Sequence, residues 1–582
     1  MMTRARWLLC LTLFACTATQ AVDNNQIPEA ASAINATQSV SAHRFMAVTA
    51  NAHATDAAVT MLRRGGSAVD AALAAQLVLG LTEPQSSGIG GGAFMLYWDK
   101  ATTKLHYYDG RETAPAAVDE KYFLGDDGTP MGFADALIGG HSVGAPGIIK
   151  LFALTHDRYG KLPWAALFEP AIALADSGFA ISARLFTLLR DTPRLRESQA
   201  LRDHFFLPDG NPKPVGYILK NPEYAQTLRA IARDGEKAFY RGDIARDIVA
   251  VVAKNPQRPG RLAMHDLAAY RALERQPVCG GYREYTVCGA APPSSGGTTV
   301  LAILGMLQQF PPSQREPDST GFLHLFAEAS ALAFADRDTY VADPDFVSVP
   351  TAGLIAPEYL SARAALIDPA RAMPTASAGD PRWPQAAQRV DYLTSVSPEL
   401  QSTSHFSIVD SDGNALSLTT SVESAFGSRL LVRGFLLNNQ LTDFSFVPRG
   451  ANGERIANRI EAGKRPRSSM APTMVFKDGK PVLLIGSPGG ARIIDYVAKT
   501  LVYALDHSRA PAEAIASPHI VALNRGVELE QGRWGDEVRS ALSALGHTIK
   551  EVPQTSGLHG IWLGEELLGV ADPRREGAAG GE

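Results

Sequence analysis

Thr403 heads the run Thr403-Ser404-His405-Phe406-Ser407-Ile408-Val409 and follows Gln401-Ser402, so its hydroxyl is a candidate nucleophile. A threonine hydroxyl is weak at neutral pH and needs a base within hydrogen-bond reach, which a free amine on the same residue supplies. An α-amine titrates near ~7.7–8.0 and is partly neutral at physiological pH, whereas an internal amide nitrogen is not basic. Cutting the Ser402–Thr403 bond would therefore create the base and expose the nucleophile in one step. Taken alone, the stretch reads more simply as an ordinary strand.

The neighbouring elements decide between these readings. Residues 403–409 and 415–421 are β-like runs around Ser411-Asp412-Gly413-Asn414, a hairpin signal. A hairpin symmetric about Asp412 or Gly413 places Thr403 opposite a residue between Ser421 and Glu423, bringing a second hydroxyl and a carboxylate beside it. Polar residues follow the apolar strand in Leu436-Leu437-Asn438-Asn439-Gln440-Leu441-Thr442-Asp443 and could line a cleft. Residues 446–467 hold six basic side chains (Arg449, Arg455, Arg459, Lys464, Arg465, Arg467) and two acidic ones, a loop long enough to act as a lid, although an inert solvated loop is equally common. Ser468-Ser469-Met470 follows it. Val482 to Ile494 has strand, glycine turn, helix order through Gly486-Ser487-Pro488-Gly489-Gly490. Backbone N–H groups at such a turn bind an anion, including the oxyanion of acyl transfer. A phosphate loop would end in Gly-Lys-Ser/Thr, which is missing here, so an oxyanion hole is preferred.

Earlier stretches carry less chemistry. Gly88-Ile89-Gly90-Gly91-Gly92-Ala93 matches part of a dinucleotide fingerprint, but it follows a helix and precedes a strand, the reverse of what pyrophosphate binding needs. Tight backbone packing is the expectation there. Residues 105–112 read as a strand ending at Arg111, which alone looks like a solvated surface arginine. Net charge is −5, with 55 basic and 60 acidic residues and no basic stripe, which argues against nucleic acid as a partner.

Arg4 and Arg6, the apolar run Trp7 to Ala15 and small residues through Ala21 read as an export signal over residues 1–21. That run is too short to span a bilayer. Leu13-Phe14-Ala15-Cys16 offers a competing lipoprotein box with Cys16 lipidated, the one route considered to a membrane anchor. Residues 22–44, rich in Ala, Asn, Gln and Ser, are expected to be disordered, with the fold starting at Phe45. Cys279 and Cys288 flank a turn between two β-like runs and are a disulfide candidate. No metal-ligand cluster is evident among the 13 histidines. From Thr375 to Ser402 the chain turns Ala, Ser, Pro and Asp rich, like an exposed linker that tolerates cutting.

In order along the chain, Gly88-Ile89-Gly90-Gly91-Gly92, Asp109-Gly110-Arg111-Glu112-Thr113-Ala114-Pro115, Pro292-Pro293-Ser294-Ser295-Gly296-Gly297, Thr403-Ser404-His405-Phe406-Ser407, Leu437-Asn438-Asn439-Gln440, Lys464-Arg465-Pro466-Arg467-Ser468-Ser469-Met470 and Gly486-Ser487-Pro488-Gly489-Gly490 resemble the gamma-glutamyltransferase (glutathione hydrolase) family. The resemblance runs from about Phe45 to Arg574. It implies an α/β (α+β) fold, the four-layer αββα sandwich of N-terminal-nucleophile hydrolases, with no cofactor. It implies self-cleavage between Ser402 and Thr403 into a large segment (45–402) and a small one of 180 residues (403–582) that stay together as a heterodimer. Carried over by matching motif, Thr403 forms a γ-glutamyl ester, Ser421 supports it, and Gly489 and Gly490 supply oxyanion N–H groups. Arg111, Ser468 and Ser469 would bind the substrate α-carboxylate, and Asp443 with Glu423 and Gln440 the α-amino group. Substrates would be glutathione and related γ-glutamyl compounds, with water or an amine as acceptor, in the bacterial periplasm or outside the cell. Three departures stand out: Ser404 and Ser421 replace frequent threonines, Glu423 stands where many members have asparagine, and the 446–467 loop lacks a tyrosine found in some bacterial members. The alternatives are a cephalosporin (glutaryl) acylase of the same fold and an exported binding protein that is never cut.

Overall fold

The computed structural model describes residues 38–384, 389–396 and 402–582. The expected signal segment, Cys16 and residues 22–37 lie outside the described residues. Gln38–Ala42, expected to be disordered, is instead a strand. Its backbone pairs with Leu567–Ala571, a tertiary partner more than 500 residues away that composition could not reveal.

Fourteen strands build two sheets: β1 (Gln38–Ala42), β2 (Met46–Thr49), β3 (Gly92–Asp99), β4 (Lys104–Gly110), β5 (Leu273–Arg275), β6 (Val278–Tyr282), β7 (Tyr285–Gly289), β8 (Thr403–Val409), β9 (Ala415–Ser421), β10 (Thr473–Lys477), β11 (Lys480–Gly486), β12 (His559–Leu563), β13 (Leu567–Ala571) and β14 (Ala578–Gly581). One sheet runs β1-β13-β12-β11-β10-β7-β6 and the other β14-β2-β8-β9-β3-β4-β5. All pairings in both are antiparallel. Each sheet mixes strands from before Ser402 and after Thr403, so a cut there would leave two interleaved pieces.

The two-residue period of β8 and β9 sorts their side chains into layers. Phe406, Ile408, Leu416 and Leu418 pack with helices α1 (Ala52–Arg63) and α2 (Ala68–Thr82) in one core. On the opposite face, Val409 and Ala415 join residues of the other sheet and of helices α3 (Gly296–Leu307), α4 (Thr320–Tyr340) and α5 (Ile493–Leu505) in a second core. His405 stacks over His559 of the facing sheet, with ring centroids 6.4 Å apart. The result is helix, sheet, sheet, helix, the αββα stack expected.

Local sequence explains how the hairpin that carries Thr403 is anchored. α2 is an Ala/Leu/Val run buried at every position, so it is an internal helix. Ser67 caps it in a box with Asp70. Asp410, just past β8, accepts from Ala68 N at 3.0 Å and places a carboxylate at the α2 N-terminus. Its other oxygen accepts from Asp412 N and Asn414 N, both at 3.0 Å, and closes the hairpin turn. The glycine run before β3 serves close packing: a Cβ on Gly90 would come within 2.0 Å of Leu436 O, and one on Gly91 within 2.1 Å of Ser421 O. Cys279 and Cys288 face each other across β6 and β7 and form the disulfide. The described parts of 375–396 are mostly exposed, as expected of a linker.

Candidate active site

β8 and β9 pair Thr403 with Ser421, inside the range that hairpin symmetry predicts. The Thr403 hydroxyl donates to Ser421 Oγ at 3.3 Å, and Ser421 donates in turn to the Ser402 carbonyl oxygen at 2.8 Å. Glu423 N also donates to Ser421 Oγ, at 2.8 Å. The Ser421 hydroxyl thus spends its one proton on the Ser402 carbonyl and receives two donors. Ser402 Oγ is tied to Gln85 O. The Thr403 hydroxyl, the Ser421 hydroxyl and the carbonyl of the bond before Thr403 are in one buried relay.

Glu423 adopts φ 82°, a left-handed conformation unusual for a non-glycine residue and common for asparagine. Asn439 holds its carboxylate, and Asn439 Oδ1 accepts from Ser424 N at 3.0 Å. Arg111, expected on the surface, is 1% exposed. Its guanidinium donates to Asp443, to Arg467 O at 2.9 Å and to Pro466 O at 3.2 Å. A lone arginine in sequence says nothing of a carboxylate 332 positions away, which is why burial was not foreseen. With its amide oriented to suit its neighbours, Gln440 places its oxygen 3.0 Å from Arg111 Nη1 and its nitrogen 3.2 Å from both Val422 O and Glu112.

Ser468 Oγ accepts from Met470 N at 3.1 Å, and Ser469 Oγ accepts from Arg337 Nη2 at 2.7 Å. The Pro292–Gly297 motif holds this corner: Ser295 donates to Ser468 O from both N and Oγ at 2.7 Å. Gly489 and Gly490 have φ of 142° and 60°, and a Cβ on Gly489 would meet Tyr496 at 2.7 Å. Their turn leads into α5.

Arg111, Thr403, Ser421, Glu423, Gln440, Asp443, Ser468, Ser469 and Gly490 line one small cavity of about 20 Å³; Gly489 is the neighbour of its rim. That is room for about one water. A larger cleft of about 590 Å³ surrounds the hairpin turn Ser411–Gly413, at the other end of β8 from Thr403, and contains none of these groups. Loop 446–467 does not line the cavity. Arg459, Lys464, Arg465 and Arg467 are buried, and Asn458 bonds Asp443 O at 2.7 Å and Arg467 N at 2.9 Å. The C-terminal side of the loop is therefore an anchored strap, because these four basic residues find backbone and carboxylate partners, whereas Arg449 and Arg455 are exposed.

Residues 54–582 match the family model of gamma-glutamyltranspeptidases. The chain belongs to this family. It is 36% identical over 543 residues to the glutathione hydrolase proenzyme of Bacillus subtilis strain 168, covering 92% of this chain and 91% of that protein. It is 36% identical over 552 residues to the glutathione hydrolase proenzyme of Escherichia coli K12, again covering 92% and 91%. Among solved structures, the cephalosporin acylase of Bacillus halodurans superposes with a TM-score of 0.81 at 27% identity, over 94% of this chain and 97% of that one.

In this family member three groups at the site were not foreseen from sequence: Glu112, Arg337 and Arg575. Arg575 donates to Thr403 O at 3.1 Å and Thr555 O at 3.1 Å, tying the backbone of Thr403 to the C-terminal end of the chain. Glu112 adjoins Arg111 in Asp109-Gly110-Arg111-Glu112, and its neighbour was the signal that could have pointed to it. Burial pushes the Glu112 carboxyl from 4.5 to about 8, overriding the Arg111 guanidinium 3.8 Å away. Arg111 shares its charge with Asp443, which weakens its hold on Glu112. Since the folded state binds this proton more tightly than the unfolded one, the stability linked to it is present in full below pH 4.5 and lost as pH rises through about 8. Glu83, also pushed up to about 8 chiefly by burial, acts in the same direction. Glu112→Gln keeps shape without the titration, so its thermal midpoint is expected to fall less than that of the wild type between about pH 5 and 8; parallel melting curves across that range check this.

Proposed function

We propose that this chain is an exported, self-cleaving gamma-glutamyltransferase and glutathione hydrolase with Thr403 as its nucleophile. Maturation begins when Thr403 Oγ1 attacks the Ser402 carbonyl carbon. The C–N bond breaks, the nitrogen gains a proton to become the Thr403 α-amine, and an ester links the two residues. Water then hydrolyses the ester, leaving a Ser402 carboxylate and a free Thr403. The observation that carries this reading is the relay from the Thr403 hydroxyl through Ser421 to the Ser402 carbonyl, which polarises the carbonyl to be attacked.

In turnover the freed amine accepts the Thr403 hydroxyl proton as oxygen attacks the γ-carbonyl of the donor, and N–H groups of Gly489 and Gly490 receive the oxyanion. The amine side of the donor leaves with that proton, and water or an amine acceptor releases the γ-glutamyl ester. Among the described residues, the cavity lining has no histidine or lysine to act as base in place of the Thr403 amine. His405, two residues along, is engaged by Thr419 and Ser407, and burial keeps it neutral. An α-amino acid head group would replace the internal Arg111–Asp443 pair, its carboxylate on Arg111 with Ser468 and Ser469, its ammonium on Asp443 with Glu423 and Gln440. Room for about one water in the uncut chain supports cleavage before substrate binding.

The acylase reading draws on the likeness to a cephalosporin acylase. Against it stand two carboxylates at the cavity, for which a glutaryl chain has no cation. Initial rates on paired γ-glutamyl and glutaryl anilides test the choice: the γ-glutamyl substrate is expected to be faster by at least about tenfold, a difference of about 1.4 kcal/mol, and equal or reversed rates overturn it. Export through the 1–21 signal, to the periplasm or beyond, and lipid on Cys16 if the alternative box is used, complete the proposal. No helix among the described residues is long and apolar enough to cross a membrane.

Ser421→Ala removes the hydroxyl that polarises the Ser402 carbonyl. Its self-cleavage is expected to slow by about 10²-fold, the usual cost of one such donor, measured as the rate at which freshly made precursor splits on gels.

A further inference from the structure

Although no metal-ligand cluster is evident in the sequence, the fold assembles one away from the catalytic cavity. His324 and Glu328, one turn apart on α4, meet His547, which follows helix α6 (Asp536–Ala544). One ligand atom from each lies within 4.8 Å of the others. None of the three lines the cavity at Thr403.

The hydrogen bonds leave one contact of this cluster without a proton. His324 Nε2 lies 2.9 Å from Asp368 O, a carbonyl that can only accept, so the ring proton is there and Nδ1 carries a lone pair. His547 Nε2, 2.7 Å from that Nδ1, must then be the donor, which leaves its Nδ1 bare. That bare nitrogen faces Glu328 Oε1 at 4.0 Å, while Glu328 Oε2 already accepts from Met373 N at 3.0 Å. Two acceptors thus face each other with the His547 side chain 6% and that of Glu328 3% exposed. A proton on Glu328 relieves this contact, and so does a metal ion on His547 Nε2, which sends the ring proton to Nδ1.

We propose that His324, Glu328 and His547 form a binding site for a divalent transition metal, with zinc the ion that two imidazoles and a carboxylate suit best. The donor set is that of three-ligand zinc sites, in which water takes the fourth position. The outer contacts are those of metal ligands: the spare nitrogen of His324 is held by a backbone carbonyl, and the spare oxygen of Glu328 by a backbone N–H. Zinc at about 2.0–2.1 Å from His324 Nδ1 and His547 Nε2 spaces them by roughly 3.3 Å, so this contact, 2.7 Å without the ion, opens by about half an ångström and the His547 ring proton moves to Nδ1, where it faces Glu328 Oε1. His324 and Glu328 precede the Ser402–Thr403 bond and His547 follows it. If the chain is cut there as proposed above, the ion is a staple between the two pieces, reinforcing the 2.7 Å bond from Ala372 N to Leu545 O; the site itself does not depend on the cut.

The test is zinc content and Co²⁺ spectroscopy on the full-length protein after chelation, reloading with one equivalent and dialysis. The wild type is expected to retain about one zinc per chain and to give intense visible Co²⁺ bands of a four-coordinate, nitrogen-ligated ion. His547→Gln and Glu328→Gln should each weaken retention by at least about a hundredfold, a loss beyond the 10–100-fold typical of outer-contact changes, while still splitting into two fragments. No retained zinc, a weak six-coordinate Co²⁺ spectrum, or equal retention in wild type and variants overturns the proposal and assigns the gap to a proton on Glu328. The wild-type measurements alone decide if a variant misfolds. An uncut but zinc-loaded wild type would refute the cleavage reading and leave the metal site standing.

Discussion

Thr403→Ala is expected to run as a single uncut chain and to release no product from a γ-glutamyl anilide. The alanine chain has no oxygen to attack the Ser402 carbonyl, so the α-amine that would serve as base is never made. One substitution therefore removes nucleophile and base together. The expected loss in kcat/KM is at least about a thousandfold, in line with losses on deleting a nucleophile. Thr403→Ser keeps an oxygen in the relay to Ser421 Oγ and should still split, more slowly, because it lacks the methyl that limits the rotamer. Alanine protein that splits at 402/403, or turns over within tenfold of wild type, would contradict the assignment.

The second large effect is expected at Asp443. Asp443→Asn keeps the shape of the side chain but removes the charge that now pairs with Arg111 and would pair with the substrate ammonium. Losing one partner of a buried charge pair costs about 2–5 kcal/mol, so kcat/KM for a γ-glutamyl substrate should drop about a hundredfold, mostly through KM. A glutaryl substrate has no ammonium to lose, and its rate should change by less than about threefold. The ratio of the two rates is the diagnostic quantity, because a general loss of folding would lower both alike.

What could be read in the sequence was local. The hairpin turn Ser411-Asp412-Gly413-Asn414 and the two-residue strand period place Thr403 beside Ser421 without any tertiary knowledge, and the register agrees. The Cys279–Cys288 pair was likewise legible, since nine positions and one turn separate the two. The order helix, glycines, strand was enough to assign Gly90 and Gly91 to close packing. What stayed hidden depends on partners far along the chain: Arg111 with Asp443, Arg575 with Thr403 O, and His324 with His547 are 332, 172 and 223 positions apart. The strand Gln38–Ala42 was hidden for the same reason, since only β13 makes it a strand. Burial within 446–467 was not legible because basic residues in a long loop normally face water, as Arg449 and Arg455 do, whereas Lys464 donates to Ala457 O at 2.8 Å inside the protein. The resemblance to a known family supplied the roles expected of Arg111, Gln440 and Asp443, which no local pattern carried.

The most direct test of the central claim is the intact mass and N-terminal sequence of protein purified from its own compartment. Two polypeptides are expected, one of 180 residues beginning at Thr403 and one ending at Ser402. A single species spanning both, active on γ-glutamyl substrates or inert, would contradict the account, since an uncut Thr403 has no amine to act as its base.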